Sequence, residues 1–133
     1  MKGYLLGLTA GLLAVSSATA ADINEGEKVF RKCQACHMAG EDAKVRVGPV
    51  LNNLFGRQAG TNEDYGSKYS KAMVEAGENG LVWNEETLFN YLENPRAMVE
   101  GTKMAFPGLK KEEDRENVIA YLKQFSPEYK PTN

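Results

Sequence analysis

The only two cysteines and the only histidine of the chain lie together in the segment RKCQACHMAG, residues 31–40. Cys33 and Cys36 are three positions apart, and His37 follows the second cysteine directly. Thiol and imidazole groups can bind metals, and a pair of thiols can form a disulfide or a covalent bond to a cofactor. The spacing therefore predicts one chemical site in this segment.

Three interpretations of this C-x-x-C-H motif differ in how many of its residues they use. A structural or redox-active disulfide needs only the cysteines, and a thioredoxin-like site expects a βαβ setting that the sequence lacks. A closed zinc site needs four ligands, typically Cys and His, and the chain offers three candidates. Covalent haem attachment uses all three, because two thiols one helical turn apart can bond the two vinyl groups while the adjacent imidazole reaches the iron. The motif favours one haem c bound through Cys33 and Cys36, with His37 as an axial ligand.

A second axial ligand has to come from a methionine, since the chain has no other histidine. The initiator methionine is expected to leave with a signal peptide, and Met38 adjoins His37 and cannot reach the opposite face. Met73 and Met98 fall in predicted helices, where methionine usually fills core space. Met104 lies in the loop GTKMAFPG, between a glycine and a proline, which suits an extended segment across a haem face. Position therefore favours Met104.

The elements that must position these groups are predicted to be short helices. The pattern Asn24 to Glu27 suits a helix cap, and the helix after it would place Phe30, Cys33 and His37 on one face. Residues 41–67 are rich in Gly, Pro and Asn, favour irregular loop with one short helical turn, and suggest no strand ladder.

Further helices follow from cap and stop signals. They are expected from Lys68 to Ala76, after the N-cap Asn84 as far as Asn94, from Pro95 to a stop at Gly101, and from about Lys110 to a stop at Ser126. The chain is therefore predicted to be all-α, with four to five short helices joined by glycine-rich loops. The tail from Ser126, SPEYKPTN, is expected to fray.

The first twenty residues, MKGYLLGLTAGLLAVSSATA, show the pattern of a secretory signal peptide. A lysine precedes an apolar run, and Ala18 and Ala20 form a small-residue exit. A retained membrane anchor is the alternative, but the run is shorter than the ~20 residues of a spanning helix. We expect cleavage after Ala20, export to the periplasm and one domain over residues 21–133. The net charge of −2 suggests no affinity for nucleic acid.

The motifs, in this order, resemble those of the class I cytochrome c family, small mono-haem proteins. The resemblance runs from about Asn24 to Phe125 and rests on CQACH, GPVLNNLFGR, YLENP, GTKMAF and VIAYLKQF. It implies the cytochrome c fold, in which helices and loops wrap one covalently bound haem. It also implies an electron carrier that cycles between Fe(III) and Fe(II), rather than an enzyme.

The resemblance assigns roles around the haem. It implies Met104 as the sixth ligand, the backbone carbonyl of Pro49 as acceptor of a hydrogen bond from His37, and Tyr91 as donor to the methionine sulfur, although Tyr91 would look the same as a core residue. It also implies that the helix carrying Gly26 crosses the last helix.

Three further residues match contacts of a haem propionate. They are Arg57, Trp83 and Tyr69; their ordinary alternatives are a surface arginine, a core tryptophan and a loop tyrosine. The segment DYGSKYS departs from the family pattern, so Tyr65 is an alternative to Tyr69.

The implied partners are redox protein complexes that dock transiently and electrostatically on a monomer without stable membrane insertion. The resemblance implies a quinol-oxidising cytochrome complex as donor, and a terminal oxidase, photosynthetic reaction centre or reductase as acceptor. The candidate docking residues are Lys32, Lys44, Lys103, Lys110 and Lys111. A small haem peroxidase, a gas sensor and a membrane-tethered carrier are the rival functions.

Overall fold

The structure is a computed structural model that describes residues 7, 10–12 and 20–131. The predicted signal peptide lies almost wholly outside these residues. Within the described residues, no helix has the length and apolar character needed to cross a membrane.

Five α-helices and one short 3₁₀ helix form in residues 20–131. The α-helices are α1 (Ile23–Phe30), α2 (Lys71–Glu78), α3 (Glu85–Glu93), α4 (Pro95–Met98) and α5 (Glu112–Lys123), and the 3₁₀ helix is Gly66–Lys68. The same region contains no strand, only an isolated antiparallel bridge between Gln58 and Val82. The all-α prediction is confirmed.

The cap predicted for the first helix is wrong, because α1 begins two residues earlier. The carboxylate of Asp22 accepts hydrogen bonds from the backbone N–H groups of Asn24, at 2.8 Å, and Glu25, at 3.1 Å. The backbone N–H of Asp22 in turn donates to Asn117 Oδ1 in α5 at 2.8 Å. Asp22 rather than Asn24 is therefore the cap, because its contact with Asn117 also joins the first helix to the last.

The first helix is also shorter than predicted. It ends at Phe30, and hydrogen-bonded turns cover residues 31–36, so Cys33 and His37 do not lie on a continuous helical face. The turns keep the local register, since the backbone N–H of His37 donates to the carbonyl of Cys33 at 2.9 Å.

The crossing of α1 and α5 depends on Gly26, which is buried. A Cβ at this position would overlap the backbone carbonyl of Asn117 and lie 2.8 Å from Tyr121 Cβ. The Phe30 and Tyr121 rings pack with their centroids 5.3 Å apart. The absence of a side chain at Gly26 lets the two backbones approach this closely.

The predicted caps of α3 and α4 are confirmed. Asn84 caps α3 through a reciprocal pair of hydrogen bonds with Thr87, and α3 ends before Asn94. Asn94 then caps α4, whose first residue is Pro95.

The predicted stop at Gly101 is wrong, because α4 already ends at Met98. Gly101, with a φ of +92°, lies instead in a following turn that is closed by a hydrogen bond from the backbone N–H of Thr102 to the carbonyl of Val99 at 3.0 Å.

Helices α2 and α5 begin slightly later than predicted. The hydroxyl of Ser70 accepts from the backbone N–H of Met73 at 3.0 Å, so α2 starts at Lys71 rather than Lys68. Helix α5 starts at Glu112.

The prediction of a frayed tail from Ser126 is wrong for its first residues. Ser126 is 4 % exposed, and its hydroxyl accepts a hydrogen bond from the backbone N–H of Phe55 at 3.2 Å. The Tyr129 ring packs on the Phe55 ring, with centroids 5.3 Å apart. This segment is therefore ordered by apolar contacts and hydrogen bonds to residues that are distant in the chain.

Candidate functional site

A cavity of about 570 Å³ with mostly apolar walls lies between α3, α5 and the irregular loops. Every residue that the sequence or the resemblance assigned to a cofactor lines it: Cys33, Cys36, His37, Pro49, Arg57, Tyr69, Trp83, Tyr91 and Met104. The structure thus brings into one cavity residues that are up to 71 positions apart in the chain.

The two cysteines of the motif are not joined in a disulfide. The backbone N–H of Cys36 donates to the carbonyl of Cys33 at 3.1 Å, which keeps the two residues one turn apart. Burial, assisted by the neighbouring Cys36, raises the pKa of the Cys33 thiol to about 11, against the opposing charge of Lys32. A reactive redox cysteine needs a thiolate near neutral pH, so this environment disfavours the redox interpretation.

The His37 ring is fixed in one orientation. Its Nδ1 lies 2.8 Å from the carbonyl oxygen of Pro49. Because a carbonyl only accepts hydrogen bonds, Nδ1 carries the proton and Nε2 keeps its lone pair. Burial lowers the pKa of His37, and the Arg57 charge adds to this effect while the bond to Pro49 opposes it. The side chain is therefore a neutral nitrogen donor on the cavity wall.

Gly48 is a site residue that the sequence reasoning missed. A Cβ at this position would overlap the His37 ring and would lie 2.8 Å from its Nδ1. The backbone N–H of Gly48 donates to the carbonyl of Cys36 at 2.8 Å. The glycine directly before Pro49 was the signal that could have identified this close contact.

The Met104 sulfur is held by a tyrosine. The Tyr91 hydroxyl donates to Met104 Sδ at 3.3 Å. Tyr91 is buried on α3, and its ring packs on Trp83 with the centroids 4.8 Å apart. The hydroxyl of Thr102 accepts from the backbone N–H of Met104 at 3.3 Å. Side chain and backbone of Met104 are both oriented by neighbours that line the cavity.

The far end of the Met104 segment is fixed to two helices. The backbone N–H of Leu109 donates to the carbonyl of Leu92 in α3 at 2.6 Å. The buried guanidinium of Arg115 in α5 donates to the carbonyl of Leu109 at 2.7 Å and stacks over the Phe89 ring at 4.3 Å. These contacts anchor the extended segment at the point where it leaves the cavity.

The other methionines differ from Met104. Met73 also lines the cavity and packs against the core, as predicted for a helical methionine. Met98 is 38 % exposed, so the prediction that it fills core space is wrong. Helix α4 has only four residues, and Met98 is the last of them, so it lies where the helix ends.

The polar part of the cavity wall contains Arg57, Trp83 and the two candidate tyrosines. The Arg57 guanidinium donates to the carbonyl of Val50 at 3.2 Å, and burial lowers its pKa. The hydroxyl of Tyr65 donates to the carbonyl of Val47 at 2.7 Å, whereas that of Tyr69 accepts from a backbone N–H. Tyr69 therefore keeps its phenolic proton for another acceptor.

Comparisons with known proteins agree with this geometry. The family model described as Cytochrome c matches residues 23–126. The cytochrome c2 of Afifella marina is 59 % identical over 106 residues, which cover 80 % of this chain and 84 % of that protein. The chain belongs to the cytochrome c family. The cytochrome is a class I c-type cytochrome, and it carries one haem c attached through Cys33 and Cys36.

Two further comparisons support the assignment. The cytochrome c2 of Blastochloris viridis is 44 % identical and covers 95 % of both chains. The structure of cytochrome c2 from Rhodospirillum centenum aligns with a TM-score of 0.74 and 44 % identity, over 80 % of this chain and all of that chain. The helices and loops described above therefore form the cytochrome c fold. The cytochrome is an electron-transfer protein rather than an enzyme.

The cavity of this cytochrome suits haem c in size and chemistry. Its walls are mostly apolar, and both attachment sulfurs line it. The His37 imidazole nitrogen and the Met104 thioether, which can each bind iron, also line it. A guanidinium, an indole N–H and a phenol supply donors that suit carboxylate groups.

The five candidate docking lysines are exposed, but only some lie at the cavity. Lys32 and Lys103 line it, and Lys103 Nζ also donates to a backbone carbonyl at 3.1 Å. Lys110 Nζ donates to the last carbonyl of α3 at 2.6 Å. Lys44 and Lys111 are not part of the cavity wall.

Proposed function

We propose that this cytochrome is a periplasmic electron carrier whose haem iron is bound by His37 and Met104. Bound haem supplies a reversible Fe(III)/Fe(II) couple. The observation that carries the proposal is the arrangement of donors in one cavity: a neutral imidazole tied to Pro49 and a thioether tied to Tyr91 share its walls with the two attachment cysteines.

The role of His37 is to supply a nitrogen ligand of fixed orientation. The hydrogen bond from Nδ1 to the Pro49 carbonyl, at 2.8 Å, prevents ring rotation and makes Nε2 a better electron donor. Gly48 leaves room for the ring to sit against the backbone. His37 is therefore preorganised as the ligand next to the attachment cysteines.

The role of Met104 is to raise the reduction potential. A neutral thioether ligand favours ferrous iron, and apolar walls disfavour the extra positive charge of ferric iron. The Tyr91 hydroxyl occupies one lone pair of the Met104 sulfur and leaves the other free for the iron. If His37 and Met104 both bind the iron, no position would remain for a substrate, which favours a carrier over a peroxidase or a gas sensor.

The role of Arg57, Trp83 and Tyr69 is to donate hydrogen bonds to a haem propionate. All three line the cavity, and the backbone N–H of Trp83 donates to the carbonyl of Arg57 at 2.9 Å. This bond ties two of the donors together, so that they act as a unit. Compensation of the propionate charge would further stabilise the cofactor in its cavity.

The partners would be a quinol-oxidising cytochrome complex as donor, and a terminal oxidase, photosynthetic reaction centre or reductase as acceptor. Each would dock transiently on the monomer at the cavity edge, where Lys32 and Lys103 supply positive charge on an acidic chain. Lys44, Lys110 and Lys111 would extend this surface. Such steering makes the rate of complex formation dependent on salt.

Export would remove residues 1–20 and leave residues 21–133 as the mature domain. The match to the family model begins at residue 23, just beyond the proposed cleavage site, which supports this division. Mass spectrometry of protein purified from the periplasm tests it. A mature N-terminus at Ala21 is expected, and an intact N-terminus would indicate a membrane-tethered carrier instead.

An optical redox titration of the haem-loaded protein tests the ligand assignment. The ferric form should show the weak charge-transfer band of sulfur bound to iron, together with a positive midpoint potential. Met104→Ala should lose the band, whereas Met73→Leu, the matched control in the same cavity, should keep it. Loss of the band in the control alone, or ready carbon monoxide binding by the native protein at neutral pH, would contradict the proposal.

A further inference from the structure

The residues that follow α5 form what we term the C-terminal strap, residues 125–129. The backbone N–H of Asn53 donates to the carbonyl of Phe125 at 2.9 Å, and that of Phe55 donates to the Ser126 hydroxyl at 3.2 Å. These bonds connect the strap to residues 53–57, which we term the Arg57 loop. The strap thus occupies one side of a loop that reaches the cavity.

Tyr129 joins the strap to two helices. Its hydroxyl donates to Glu85 Oε2 in the first turn of α3 at 2.6 Å. Glu85 Oε1 lies 2.7 Å from Lys123 Nζ in the last turn of α5. The Tyr129 ring packs on Phe55 in the Arg57 loop. The Tyr129 side chain therefore contacts both α3 and the Arg57 loop. The Glu85 carboxylate that it binds also pairs with Lys123 in α5.

The protonation states of Glu85 and Tyr129 at neutral pH favour the hydrogen bond between them. Burial alone would raise the pKa of Glu85, but hydrogen bonds from Lys123 and Tyr129 outweigh it and hold the pKa below the ordinary 4.5. The hydrogen bond to the Glu85 carboxylate, with burial, raises the pKa of Tyr129 to about 12. The carboxylate is charged and the phenol is protonated, as their hydrogen bond requires.

The other side of the Arg57 loop is bound by Trp83. The backbone N–H of Gly56 donates to the carbonyl of Trp83 at 2.7 Å. Asn53 has a φ of +56°, in the left-handed region that non-glycine residues seldom adopt, so its conformation depends on surrounding contacts. The hydrogen bond to Phe125 in the strap supplies such a contact at Asn53, while Trp83 holds the loop at Gly56.

The Arg57 loop bears directly on the haem cavity. Leu54 and Arg57 both line it, and Leu54 is buried. A positive charge near the iron stabilises the ferrous form, and the effect weakens as the charge becomes solvated. With haem bound, the position of the Arg57 guanidinium would therefore affect the reduction potential.

We propose that the C-terminal strap is a positioning element for the haem site, in which Tyr129 and Ser126 hold the Arg57 loop and so keep the Arg57 guanidinium at the cavity wall. The inference rests on the proposed contact of Arg57 with a propionate. It assigns to the strap an effect on the potential, in addition to its contribution to stability.

The test compares Tyr129→Ala, which removes both ring and hydroxyl, with Tyr129→Phe, which keeps the ring contact with Phe55. Lys130→Ala, an exposed position in the same segment, is the matched control. Hydrogen exchange of the Phe55 and Gly56 amides reports opening of the loop, and exchange in the centre of α1 reports global unfolding. The midpoint potential of each haem-loaded variant is measured in parallel.

In Tyr129→Ala, loop exchange should rise about tenfold, the order expected for one lost hydrogen bond to a charged group, with exchange in α1 changed much less. Tyr129→Phe should show a smaller rise, and Lys130→Ala none. The midpoint potential should fall most in Tyr129→Ala, less in Tyr129→Phe and not at all in Lys130→Ala.

Unchanged loop exchange, an equal rise in the loop and in α1, or faster loop exchange with an unchanged potential would each overturn the proposal. Absence of the charge-transfer band in the native protein would instead contradict the Met104 assignment. That result would leave the hydrogen-exchange comparison of the variants valid. Failure of the Met104 assignment can therefore be distinguished from failure of the strap proposal.

Discussion

Replacing Gly26 by alanine perturbs the crossing of the first and last helices at its closest point. The added Cβ would meet the backbone carbonyl of Asn117 and lie 2.8 Å from Tyr121 Cβ. The carbonyl belongs to the helical backbone and cannot move away like the end of a flexible side chain. Helices α1 and α5 must therefore separate, and the hydrogen bond from Asp22 to the Asn117 side chain should be lost with their separation.

The magnitude follows from three contributions to the free energy of unfolding. Overpacking against backbone costs about 3 kcal/mol, at the upper end of the usual range. The lost hydrogen bond costs about 1 kcal/mol. Alanine has a higher helix propensity than glycine, which returns about 1 kcal/mol. The expected net destabilisation is about 3 kcal/mol, or a fall of about 12 °C in Tm for a domain of this size.

The assay is urea unfolding of the haem-loaded protein, followed by far-UV circular dichroism and by haem absorbance. Glu27→Ala is the matched control, because it adds no atoms at the crossing and is exposed on the same helix; its effect should remain within about 0.5 kcal/mol. If Gly26→Ala were as stable as the native protein, the close approach of the two helices would not require glycine and the steric argument would be refuted.

Three further predictions concern the site and its surroundings. Tyr91→Phe removes the donor to Met104 Sδ and should weaken the charge-transfer band and speed carbon monoxide binding about fivefold, as expected for one hydrogen bond; unchanged binding kinetics would contradict this. The difference in unfolding free energy between the native protein and Tyr129→Phe should be constant from about pH 5 to 10. It should shrink as the pH falls below 4.5 through the lowered pKa of Glu85, and as the pH rises from 10 to about 12 through the raised pKa of Tyr129; a constant difference over pH 3 to 12 would refute the role of the pair. Lys32→Glu should slow reduction by an acidic redox partner several-fold at low salt, with the difference disappearing near 1 M salt; a difference that persists there would argue against electrostatic steering.

The chemistry of the site can be read from the sequence wherever it is local in the chain. The C-x-x-C-H motif contains both thiols and the imidazole within five residues, so its spacing indicated haem c without any knowledge of the fold. The caps at Asn84 and Asn94 were also predictable, because each satisfies N–H groups no more than three residues away. The roles of Pro49 and Tyr91 required the family resemblance, since nothing in their local sequence distinguishes a cavity residue from a core residue.

The tertiary structure decided the features that depend on residues distant in the chain. Asp22 rather than Asn24 became the cap of α1 because a side chain 95 positions away holds it. The first residues of the tail from Ser126 are ordered because their partners lie in residues 53–57 and at Glu85. The sequence alone determined the cofactor and most of the helices, since hydrogen bonds and spacing within one or two turns encode them. Only the folded chain could determine which loop the strap holds and how closely α1 and α5 approach, because these depend on contacts that form after the helices pack.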